Sequence, residues 1–171
     1  RTEIGILERY AAQIASLIGP DCLLIELGSG NSAKVRLLLE ALRPAAYLPM
    51  DISRDQLLHS AQELAADYPW LAVHATCVDY SRHLEIPHVP AGARKVAFFP
   101  GSSIGNFEPD DTLGFLREVA RAVAREEVVV VKDEQAHAAL AAQQLHLVDE
   151  IGHRALAVTR AAGPGDPGVD R

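Results

Sequence analysis

No run of apolar residues in the 171-residue sequence approaches the ~20 that a membrane-spanning helix needs, and the first residues carry no apolar signal-peptide core. A soluble, cytoplasmic protein without a membrane partner is the expectation. Cysteine is scarce as well. Cys22 and Cys77 stand inside the apolar runs "DCLLIEL" and "HATCVDY" and read as buried reduced thiols rather than a disulfide. Positive charge gathers nowhere: 16 Lys and Arg are interleaved with 23 Asp and Glu for a net charge of -7, which leaves no basic face for nucleic acid. His137, His146 and His153 lack metal-ligand spacing, so no metal site is expected. The Arg1 start, without methionine, reads as that of a fragment or a trimmed chain.

What remains is an ordinary globular balance, 49% hydrophobic and 23% charged, at the length of one domain. A single domain over 1–160 is expected, followed by a Gly/Pro tail, 161–171, too polar to pack. "TEIGILERYAAQIASLIG" spaces Ile4, Leu7, Ala11, Ile14, Leu17 and Ile18 at three and four residues, which predicts an amphipathic helix with Thr2 as its cap. "CLLIEL" is short and continuously apolar, as a strand buried on both faces should be. "AKVRLLLEAL" predicts a helix, "AAYLPMDIS" a strand ending at Asp51, and Ser53 with Gln56 a capping box for the next helix. "LAVHATCVD", "ARKVAFFPG" and "EVVVVKD" read as further strands, and Pro109 with Asp110 and Asp111 suits a helix start. "LHLVDE" with "HRALAVTR" suggests a closing hairpin, and Trp70 a cover for the sheet edge. This alternation predicts an α/β fold with a mostly parallel central sheet and helices on both faces.

In such sheets ligands bind beyond the carboxyl ends of the strands, where strand order reverses. Those ends carry Glu26 to Gly30, Asp51, Asp79-Tyr80 and Gly101 to Asn106. "IELGSGNSAK" lacks the third glycine of a dinucleotide loop and the G-K-[ST] of a P-loop. On its own it is equally a tight turn or a place where Gly28, Ser29 and Gly30 admit a ligand to the backbone. Asp51 follows Gly30 by 21 residues, near the offset at which an acid meets ribose hydroxyls. Asp79 and Tyr80 fall where an adenine would lie. Glu26 is open between bonding loop amides and facing the ligand. This set fits a dinucleotide or S-adenosylmethionine, and no Tyr-x-x-x-Lys or Cys/His pair supports an NAD-dependent oxidoreductase.

Taken in order, "ELGSGNSAKVRLLLEAL", "YLPMDIS", "VDYSRHL" and "VAFFPGSSIGNFEPDD" resemble the histidine Nα-methyltransferases of ergothioneine biosynthesis over about residues 1 to 125. "FFPGSSIGNF" is the most specific segment. The resemblance implies a Rossmann-like class I methyltransferase fold and S-adenosylmethionine as cofactor. It implies contacts from Gly28 and Lys34, a loop shaped by Ser29 and Gly30, a ribose on Asp51 and an adenine at Asp79 and Tyr80. Asn106 would hold a small amino-acid substrate at its amine and direct the lone pair in catalysis. Beyond Arg125 the sequence departs from the family, whose added substrate-binding region and substrate tyrosine have no counterpart here. The competing reading is a non-catalytic cofactor-fold module that binds a nucleoside or a partner.

Overall fold

The computed structural model describes residues 2–80, 84–87, 92–100, 109–123, 127–131 and 155–158. The chain opens with α1 (Thr2–Ile18), then β1 (Cys22–Leu27), α2 (Ala33–Leu42), β2 (Ala46–Asp51) and α3 (Arg54–Asp67). Two short strands follow, β3 (Ala72–Val73) and β4 (Thr76–Cys77), then β5 (Arg94–Phe99), α4 (Pro109–Ala122), β6 (Glu127–Val131) and β7 (Ala155–Val158). Among the described residues these strands form one sheet in the order β3-β2-β1-β5-β6-β7, with β4 also on β2, and every pairing is parallel.

β1 holds the centre of this order because all six of its residues are buried. Its side chains alternate between two cores, as a strand of period two must. Cys22 and Leu24 join α1 and α2 through Leu7, Ile14, Val35, Leu38 and Leu39. Leu23, Ile25 and Leu27 join α4 through Phe115, Leu116 and Val119. The order reverses between β1 and β5, whose neighbours diverge on either side. Their carboxyl ends therefore define the crevice in which this architecture places ligands.

Three expectations need correction. In α1 the buried stripe is Leu7, Ile14, Ala15 and Ile18, whereas Ile4 and Leu17 are exposed. Ser53 does precede α3, but its side chain makes no cap bond; the Asp51 carboxylate accepts the Ser53 N–H instead. Cys77 is exposed, and only Cys22 is buried; both are free thiols. β7, inside one segment of the predicted closing hairpin, pairs in parallel with β6. The other segment of that predicted hairpin, 145–150, lies outside the described residues, as does His137, His146 and His153.

The third strand of the sequence reading is split. Ala46 and Tyr47 pair with Ala72 and Val73, and Met50 and Asp51 pair with Thr76 and Cys77. The gap falls opposite Pro49, which has no N–H to give the ladder. Register is kept across the interruption. Trp70, just before β3, sets its ring edge-on to Tyr68 at 5.8 Å and carries the Arg43 guanidinium 4.5 Å above its face. No helix among the described residues is long and apolar enough to cross a membrane.

Candidate functional site

The loop from β1 to α2 is fastened on several sides. Gly28 and Ser29 both donate their N–H groups to the Met50 carbonyl, at 2.9 and 3.2 Å. Gly30 donates to Asp51 Oδ2 at 3.0 Å, and the Ser60 hydroxyl of α3 donates to the Gly30 carbonyl at 3.2 Å. Ser32 N–H closes the turn on the Ser29 carbonyl at 2.9 Å. Gly28 and Gly30 hold φ of +72° and +54°, a region that L side chains avoid. Ser32 sits there too, at φ 54°, with no side-chain cap bond to α2. The loop is thus shaped by β2 and α3, not by α2's own cap.

Asp51 is central to that shape. One carboxylate oxygen takes the Gly30 amide and the other takes the Ser53 amide at 2.9 Å. Each oxygen keeps capacity for a further donor. Lys34, the second residue of α2, reaches across the crevice and donates its Nζ to the Pro100 carbonyl at the end of β5. The two sides of the strand-order reversal are joined at that point.

Tyr80 comes over from beyond β4. Its ring lies 6.4 Å from Phe99 and 6.0 Å from Phe115. Its hydroxyl stands where a side chain on Gly28 would be, 2.7 Å from an ideal Cβ. Half-burial raises the Tyr80 phenol's pKa, and Asp51 and Asp79 raise it further. Three of the four strand ends named above thereby converge, with Lys34 of α2 beside them: Gly28 to Gly30, Asp51, and Asp79 with Tyr80. Asn106, with Gly101 and Gly105, lies outside the described residues.

Glu26 does not bond the loop amides. It is buried at the end of β1 and accepts the hydroxyl of Tyr47, itself buried in β2. Burial pushes the Glu26 carboxyl up to about 8, against the opposing pull of Tyr47 and Lys34 and with a further push from Asp51. Tyr47 went unnoticed among the apolar letters of "AAYLPMD". Its one polar atom and its 21-residue offset from Glu26 were the available signal. The Ser29 and Ser32 hydroxyls are buried close by without a hydrogen-bond partner among the described residues. No group of His, Cys, Asp and Glu among those residues could hold a metal ion.

Solved structures give the fold a counterpart. A candidate S-adenosylmethionine-dependent methyltransferase from Methanococcus maripaludis superposes with a TM-score of 0.51 at 15% identity, over 85% of this chain and 65% of that one. Among curated proteins, the histidine N-alpha-methyltransferase of Mycolicibacterium smegmatis is 39% identical over 125 residues, 70% of this chain and 38% of that protein. The 4-dimethylallyltryptophan N-methyltransferase of Aspergillus fumigatus is 34% identical over 128 residues, again 70% of this chain and 38% of the relative. The chain therefore spans under two fifths of the length of these curated relatives. The sequence profile of one family matches residues 1–142, past the Arg125 limit of the sequence reading and well over half of the chain. This chain belongs to the S-adenosylmethionine-dependent, histidine-specific methyltransferases.

Proposed function

We propose that this chain carries the cofactor-binding part of an S-adenosylmethionine-dependent N-methyltransferase whose substrate is the α-amine of a small amino acid, histidine first. The observation that carries this reading is the fastened glycine loop: Gly30 on Asp51, with Lys34 bridging to Pro100 across the strand-order reversal. The residues present suit the cofactor. Gly30, with nothing within 4 Å of where a side chain would stand, leaves that face of the loop open, Asp51 retains acceptor capacity for a ribose diol, and the Ser29 hydroxyl is buried with no partner among the described residues.

On this reading Gly28, Ser29, Gly30 and Lys34 hold the amino-acid part, Asp51 the ribose, and Asp79 with Tyr80 the adenine. The cofactor supplies an electrophilic methyl on a sulfonium sulfur. Transfer by in-line displacement asks for alignment and a free lone pair, so the chain's contribution is positioning. Asn106 holds the substrate amine and directs its lone pair through the side-chain oxygen. A positive charge nearby disfavours the ammonium form and so helps to free that lone pair. Relatives named for histidine and for 4-dimethylallyltryptophan both match 70% of this chain, which supports a shared cofactor loop and a substrate choice made by other residues.

Calorimetry with S-adenosylmethionine and S-adenosylhomocysteine tests the cofactor assignment. Binding of both is expected, and failure of both at millimolar concentration would sink it. Histidine turnover then separates an enzyme from a module that binds the nucleoside without transferring a methyl.

A further inference from the structure

Glu26 and Tyr47 are buried almost completely, and Glu26 is the one charged residue in an otherwise apolar β1. The facing groups come from every element around it. Tyr47 and Asp51 belong to β2, Lys34 comes from α2, and Phe98, its register partner on β5, is uncharged. Glu26 stands two residues before Gly28, on the strand that runs into the glycine loop. The buried Ser32 hydroxyl lies beside the Tyr47 phenol and favours its ionised form. A carboxyl so placed, with one ammonium near it and one carboxylate opposing, has its charge balance decided by whatever enters the crevice.

We propose that Glu26, fixed by Tyr47 ahead of the glycine loop, is a positioning residue that answers the positive charge of a bound sulfonium cofactor by shedding a proton. This rests on the cofactor reading above. In the free protein the carboxyl is held up to about 8, so at neutral pH it is mostly protonated. An opposite charge within ~4–6 Å lowers a carboxyl by about 1–3 units, enough to ionise it. The Glu26 O–H bond then breaks, its proton passes to the buffer, and the carboxylate remains as counter-charge with Tyr47 donating to it. Binding is thereby coupled to proton release and favours the charged cofactor over its uncharged-sulfur product.

Calorimetric titration of the wild-type chain with S-adenosylmethionine at neutral pH, in two buffers of different ionisation enthalpy, reads the proton count. About half to one proton released per cofactor is expected, falling toward zero above about pH 9 where Glu26 is already ionised. S-adenosylhomocysteine, without the sulfonium charge, should release less. In E26Q, release should vanish and S-adenosylmethionine affinity fall roughly tenfold at alkaline pH, with the homocysteine product less affected. Y47F, which keeps the carboxyl but loses the bond that favours its ionised form, should move the release profile to higher pH. Binding without proton release in the wild type overturns the inference, and so does release that persists in E26Q. Should E26Q not fold, the wild-type count and the Y47F shift decide. Absence of binding by either nucleoside overturns the cofactor reading, and this inference with it.

Discussion

Gly28 shows how little room the crevice leaves. A methyl there would meet the Tyr80 hydroxyl at 2.7 Å and would also have to live at φ +72°. Gly28→Ala should therefore destabilise by about 1–2 kcal/mol through backbone strain and displace the Tyr80 ring, and thermal unfolding of the free protein checks this. Asp51 has two duties, since its oxygens already hold the Gly30 and Ser53 amides. Asp51→Ala should weaken cofactor binding by about 1–3 kcal/mol and also lower the unfolding midpoint of the ligand-free chain. Unchanged nucleoside affinity would remove Asp51 from the site, whatever happened to stability. Glu26 carries a pH signature of its own. Its folded pKa, about 8, lies above the ordinary 4.5, so the folded state binds the extra proton. The resulting stability is present in full below about pH 4.5, declines as pH rises, and is gone above about pH 8. Urea melts across that window should show the decline in the wild type and a flat profile in Glu26→Gln.

At the level of elements, α2 begins under tension. Ser32 adopts a left-handed conformation, gives no side-chain cap bond, and buries its hydroxyl beside the Tyr47 phenol. Ser32→Gly should relieve the backbone and raise stability by about 1 kcal/mol, measured by thermal or chemical unfolding. If the hydroxyl belongs to the cofactor site, the gain in stability should come with a loss of affinity. β2 was legible as a strand because its residues are nearly all apolar, and β1 for the same reason. The split opposite Pro49 was not, since a proline's effect depends on which neighbour faces it, and pairing is not written in either strand. The missed Glu26–Tyr47 contact has the same origin. Whether two side chains on adjacent strands meet is decided by register, and both had only local surroundings to be judged by. Asp51 was readable as a strand-end acid, yet its grip on the Gly30 and Ser53 amides came from the turn geometry on either side.

For the whole molecule, alternating strand and helix patterns were enough to foresee a parallel sheet with its polar residues gathered at one edge. The chain order of the strand ends was visible; the spatial order, with β1 between β2 and β5, had to come from the structure. That order makes a global forecast. β1 is flanked on both sides and its side chains are almost fully buried. Amide hydrogens of Leu24, Ile25 and Glu26 should exchange slowest, near the rate set by global unfolding, while β3 and β4 at the edge exchange through local opening. Exchange in β1 as fast as in β3 would contradict a single cooperative sheet.

The bond from the Gly30 amide to Asp51 also makes that one proton a resident spectroscopic probe. An amide proton facing a carboxylate resonates far from its random-coil position. Any new donor reaching Asp51 draws electron density from the same oxygens and moves the signal. Following the Gly30 resonance through a nucleoside titration would report occupancy at the ribose position directly, from a backbone atom that needs no label beyond nitrogen-15 and no substrate at all.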